Sequence, residues 1–97
     1  MYDNENGGEP RWWEGAEGHR FALEVLQLSM RRQMLRLIAG GINDARQMED
    51  KLNLTPTQVE YHLSMLEKAL VIERAEEDAW RATAVGLLFL ETQEVGP

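Results

Sequence analysis

The stretch TPTQVEYHLSMLEKAL, residues 55–70, combines two sets of side chains with different uses. Val59, Leu63, Leu66 and Leu70 recur at three- and four-residue steps, the spacing of a helix with one buried side. The opposite side carries Thr57, Gln58, Tyr61 and His62, none of which such a core needs. Hydroxyl, amide, phenol and imidazole groups are what a helix presents to base edges in a major groove. Gln58 would pair with an adenine edge, Thr57 would meet a thymine methyl or a phosphate, and Tyr61 and His62 would hold phosphates or reach bases. Two of these groups also have a structural reading: Tyr61 laying its ring on a neighbouring helix, and His62 hydrogen-bonding beside buried Leu63. Arg31, Arg32, Arg36, Arg46, Lys51 and Thr55 are the candidates for backbone phosphate contacts.

Other chemistry finds little support. The chain has no cysteine, so neither a disulfide nor a thiolate metal site is available. Its two histidines, His19 and His62, fall in different elements, and Ser29 and Ser64 have no identifiable base. No Gly-rich phosphate loop occurs, and no carboxylate–histidine spacing fits a metal site. An enzyme is therefore not expected, nor is a cofactor or a metal.

The elements that must position the reading helix follow from local signals. Residues 19–39 are good helix formers without internal Gly or Pro, with Phe21, Val25, Leu26, Met30, Met34, Leu37 and Ile38 at buried-face spacing. Ser29 is placed to cap a second helix from Met30, so the segment reads either as two helices broken near Leu28 and Ser29 or as one bent helix. Arg31, Arg32 and Arg36 are assigned to its polar side, and Gly40 with Gly41 ends it. Asn43 reads as the N-cap of a helix over residues 44–52, with Ala45, Met48 and Leu52 on one face. Asn53 makes a turn, Thr55 caps the next helix, Pro56 sits in its first turn, and Gln58 completes a capping box. Together these specify a helix–turn–helix, with the reading helix at about residues 55–69.

Residues 71–74 and 79–83 read as two short strands around the polar turn Glu76, Glu77, Asp78, with Trp80 facing the core. A last helix runs from Thr83 or Ala84 to Gln93, with Val85, Leu88, Phe89 and Thr92 on its packed face. The methionines at 30, 34, 48 and 65 stand at core-facing spacing and read as packing. The fold class is thus mainly α with a small β-hairpin, a winged helix-turn-helix over residues 19–95.

Residues 1–18 form a flexible acidic tail in this reading, with four glycines, one arginine and five acids. Trp12 and Trp13 stand out within it; either one docks on the domain or a sister subunit, or the pair is a motif for a protein partner. Net charge is −7, unevenly spread: residues 19–52 hold six basic side chains against four acids, and residues 53–97 three against eight. Attraction to phosphate must therefore be local. No run approaches the roughly 20 apolar residues of a membrane span, and the N-terminus lacks the order of a signal peptide. The expectation is a soluble, cytoplasmic protein without a membrane partner.

The residues also resemble a known family, the ArsR-like transcriptional regulators of bacteria and archaea. MRRQMLRLIAGG at 30–41 is similar to the family's Arg-containing helix before the motif, and LTPTQVEYHLSMLEKA at 54–69 to its recognition helix. Thr83, Ala84, Val85 and Gly86 resemble the Thr-x-x-Gly that opens its last helix. The similarity covers about residues 20–92 and implies a winged helix that binds DNA. The chain departs from the family in four places. It lacks the cysteine pair of metal-sensing members and the Asp/His/His/Glu set some carry on the last helix, which removes that sensing chemistry. Leu70 stands where the family commonly has Gly, which predicts a helix that runs on or ends differently. The wing tip is acidic, and the reading helix has Glu60 and Glu67 against one cation, Lys68.

The sequence thus supports a sequence-specific regulator of double-stranded DNA. It would act as a homodimer through its first and last helices, both more apolar than one small domain covers. The alternative is a winged helix used for protein–protein contact, which the acidic wing and the tryptophan pair favour.

Overall fold

The structure, a computed structural model, describes residues 17–76 and 78–95, with side chains through residue 92. Among the described residues, five helices and one hairpin follow in order: α1 (Glu17–Val25), α2 (Ser29–Ala39), α3 (Ala45–Leu52), α4 (Pro56–Lys68), β1 (Ile72–Arg74), β2 (Trp80–Ala82) and α5 (Ala84–Val95). The strands pair antiparallel with Ile72 opposite Ala82, Glu73 opposite Arg81 and Arg74 opposite Trp80. This is a winged helix-turn-helix, with α3 and α4 as the motif and the hairpin as the wing. Glu17 and Gly18 lie within helix α1. Trp12, Trp13 and the rest of the tail lie outside the described residues.

The core gathers around α2, which packs against α4, α5 and β2. Met34, Leu35 and Ile38 of α2 meet Met48 of α3, Val59, Leu63 and Leu66 of α4, Val71, Ile72 and Trp80 of the wing, and Phe89 of α5. A helix with neighbours on several sides needs a broad apolar face. That is why Leu35, adjacent to the stripe read from spacing, is also fully buried. Phe21, Met30, Leu37 and Met65 pack at the margin, half-buried.

Residues 19–39 form two helices. Leu28 is extended, and it precedes α2 without any side-chain cap. Ser29 is the first helical residue and not the cap, and its hydroxyl instead accepts from Gln33 Nε2 at 3.3 Å. Two arginines hold the break. Arg32 Nη1 donates to the carbonyls of Leu26 at 2.7 Å and Gln27 at 2.9 Å, and Arg31 Nη1 to that of Val25 at 3.4 Å. These are the carbonyls that a helix C-terminus leaves unpaired, so the guanidinium groups complete the end of α1. Helix α2 then closes in a Schellman turn, with Ile42 N–H on Leu37 O at 2.8 Å, Gly41 N–H on Ile38 O at 3.2 Å, and Gly41 left-handed at φ 109°.

The cap of α3 is Asp44, whose Oδ1 accepts from Arg46 N–H at 2.7 Å, and not Asn43. Asn43 is committed elsewhere: its carbonyl accepts from Trp80 N–H at 3.0 Å, and Asp44 forms a β-bridge with Ala79. The linker therefore lies along β2 as a rudimentary third strand, a pairing between segments far apart in sequence. Helix α4 carries the full capping box, with Gln58 N–H on Thr55 Oγ1 at 3.1 Å and Thr55 N–H on Gln58 Oε1 at 3.0 Å.

Helix α4 does not run on past Lys68. Leu70 takes the left-handed conformation, φ 64°, and closes a Schellman turn with Leu70 N–H on Glu67 O at 2.9 Å and Val71 N–H on Leu66 O at 3.3 Å. Its side chain thus leaves the apolar stripe and is 37 % exposed, and Ala69 is buried instead. Thr83 and Gly86 hold this turn from the far side. Thr83 Oγ1 donates to Leu70 O at 2.6 Å and accepts from Gly86 N–H at 3.1 Å, which also caps α5. A Cβ on Gly86 would lie 2.2 Å from Val71 O, so only glycine lets α5 approach.

That contact sets the rotation of α5. Gly86 and Phe89 face inward with Leu90 half-buried, whereas Val85 and Leu88, expected on the packed face, are exposed. A non-glycine residue at a left-handed cap is strained by about 1 kcal/mol. Leu70→Gly should therefore be more stable than Leu70→Ala by about 1 kcal/mol in denaturant melts, both variants having lost the same side-chain contacts. Equal stabilities would show that the turn is not left-handed in solution.

Candidate nucleic-acid interface

Helix α4 is anchored along one side and open along the other. Val59, Leu63 and Leu66 are buried, and the capping box and Pro56 define where the helix begins. Thr57, Gln58 and Tyr61 then share an uncovered face, Tyr61 with 56 % of its surface exposed. The Tyr61 ring is nonetheless backed by a neighbouring helix, with the Arg31 guanidinium of α2 beneath it. Thr55 is exposed, and its hydroxyl oxygen accepts from Gln58 N–H in the capping box while its O–H remains free to donate. Gln58 is partly committed too, because two-point pairing with adenine would compete with the bond from Thr55 N–H to its Oε1. Its Nε2 group remains to donate to a ligand.

His62 is half-buried and belongs to a small cluster beneath this face. Arg31 Nε donates to His62 Nδ1 at 3.1 Å, and the Arg31 guanidinium carbon lies 5.4 Å from the Tyr61 ring centroid. The Tyr61 and His62 rings are 5.5 Å apart and tilted by 55°. Because Nδ1 accepts, the neutral imidazole carries its proton on Nε2. Burial first, and the Arg31 charge second, hold the His62 pKa below its ordinary 6.5.

The six expected phosphate contacts separate into two groups. Arg31 is 6 % exposed and sits under Tyr61, not on the polar side of α2. Its contacts from α2 to α1 and α4 account for the burial. Arg32 is half-buried with its guanidinium on α1 carbonyls. Arg36, Arg46 and Lys51 are exposed, and of these Arg46 lines the groove beside α4. Arg74, not expected from the sequence, lines the same groove and stacks over the Trp80 ring at 4.5 Å. Only the register of the hairpin reveals that position, since it sets Arg74 opposite Trp80.

This groove, about 1030 Å³, runs between the start of α3, the outer face of α4 and the wing. Five carboxylates line it (Asp44, Glu49, Glu60, Glu67 and Asp78) against Arg46 and Arg74. A duplex seated here would meet repulsion over most of the concave surface and, within it, attraction from Arg46 and Arg74. Among the described residues, no three side chains of His, Asp or Glu gather into a group able to hold a metal ion.

The lowered His62 pKa makes stability depend on pH. The unfolded chain takes up the His62 proton near pH 6.5, whereas the folded chain resists it, so stability is present above pH 6.5 and declines as pH falls through that value toward the folded pKa. His62→Gln keeps an acceptor for Arg31 and cannot titrate. Thermal melts from pH 7.5 to 5.5 should show wild type losing more stability than this variant, and parallel curves would contradict the assignment. Compared with known proteins, the chain matches no family model and no curated protein.

Proposed function

We propose that this chain is a cytoplasmic, sequence-specific DNA-binding regulator that reads the major groove with the N-terminal half of α4. The observation that carries the reading is the uncovered face of Thr57, Gln58 and Tyr61 on a helix whose apolar side is fully used by the core. Such a helix projects hydrogen-bonding groups at a fixed start and rotation, which groove reading requires. The resemblance of residues 54–69 to the ArsR-like recognition helix supports the same reading. Arg36, Arg46 and Lys51, joined by Arg74, supply the backbone attraction. With so few cations and an acidic groove, non-specific affinity is low and discrimination rests on the neutral face.

Selection from a random duplex pool at two salt concentrations tests this. One enriched motif should emerge, its affinity falling with salt with a slope set by about three or four phosphate contacts. Tyr61→Ala should erase the preference at one base pair of the enriched motif and weaken binding while leaving the fold intact. It is a cleaner variant than Gln58→Ala, which also removes a capping bond. No enrichment at low salt would overturn the reading and favour a protein-interaction module, the use to which the five groove carboxylates are suited.

The proposed regulator is a homodimer through α1 and α5. Leu87 and Leu88 are 51 % and 61 % exposed on α5, and Leu23 and Leu28 are exposed on and just after α1. A twofold pair would present two α4 helices to a palindromic site. Sedimentation at micromolar concentration should give a dimer that Leu88→Glu dissociates, and a monomeric wild type would remove the palindrome with it.

A further inference from the structure

Arg31 is the buried charged residue among the described residues, and there its polar contacts are an imidazole and a backbone carbonyl, not a carboxylate. Burying a guanidinium this way costs more than filling the same volume with an apolar side chain. What the arginine adds is geometry. Its planar fork donates in two directions, Nε to His62 Nδ1 on α4 and Nη1 to Val25 O at the end of α1, while its Cζ lies over the Tyr61 ring, 5.4 Å from the centroid. Tyr61, exposed to solvent on its outer side, would sample several rotamers if nothing lay behind it. The guanidinium supplies that backing from within.

We propose that Arg31 is a positioning residue for the reading face of α4, and not a phosphate contact: it fixes the Tyr61 ring and the His62 imidazole together and ties both to the end of α1. The proposal rests on the DNA-reading function above. It makes recognition depend on a side chain that does not touch the duplex, and it makes α1, part of the proposed dimer surface, mechanically continuous with the reading helix through one residue.

The test uses the full chain and four variants, Arg31→Lys, Arg31→Met, Tyr61→Ala and Arg31→Met with Tyr61→Ala, each checked for folding by circular dichroism. Lysine keeps the charge but has neither the planar face nor the second donor direction. Arg31→Lys should lose about tenfold discrimination at the base pair that Tyr61 reads, as Arg31→Met does. The salt slope should stay that of wild type. In the double variant, loss of Arg31 should add nothing to the effect of Tyr61→Ala alone.

A lysine variant that discriminates like wild type overturns the proposal. So does a salt slope that drops by about one in Arg31→Met, the signature of a lost phosphate contact. A DNA-free measurement separates this failure from failure of the function itself. The His62 titration followed by NMR should move upward in Arg31→Met. An unmoved titration overturns the brace, whereas absence of any selected sequence for wild type overturns the DNA reading.

Discussion

The junction of Leu70 and Val71 is the constraint on which the rest of the fold depends. There the chain leaves the end of α4, enters the wing, and is met from the other side by the start of α5. Leu70 is held left-handed, its carbonyl accepts the Thr83 hydroxyl at 2.6 Å, and Val71 O lies where a Cβ on residue 86 would intrude. Each feature tolerates the others only in this arrangement. A helix that continued through Leu70 would carry Val71 and Ile72 out of the core, and a larger residue at 86 would lift α5 from Val71. The strain at Leu70 persists because the surrounding contacts over-determine it.

The second organising feature is electrostatic. Of the arginines available to attract phosphate, two serve structure: Arg31 and Arg32 finish α1 and fix where it breaks from α2. Of the cations that remain, Arg46 and Arg74 line the concave surface between α4 and the wing beside five carboxylates, and Arg36 and Lys51 are exposed outside that lining. This distribution argues against a protein that coats DNA through charge. It suits one that discriminates through a few neutral contacts, or one that engages a basic partner.

Much of the fold was legible in the chain because its signals are local. The Thr55–Gln58 capping box, Pro56 at the helix start, the Gly40–Gly41 stop and the stripe of Val59, Leu63 and Leu66 each act over a few residues. The two strands were legible from residue type and turn chemistry, and Trp80 from its place in the alternation. The exposed face of Thr57, Gln58 and Tyr61 follows from the same helical period.

What tertiary structure alone decided involves residues that meet across the chain. Asn43 looks like an N-cap until its carbonyl is seen to pair with Trp80, which leaves Asp44 to cap. Val85 and Leu88 look like a packed face until Gly86, pressed against Val71, sets the rotation of α5. Arg31 looks like a surface cation until its guanidinium is found beneath Tyr61 and beside His62. Caps, stops and periodicity are short-range physics, readable in order along the chain. The partner of a carbonyl, a glycine or a guanidinium is fixed only by which distant segment the packed core brings beside it.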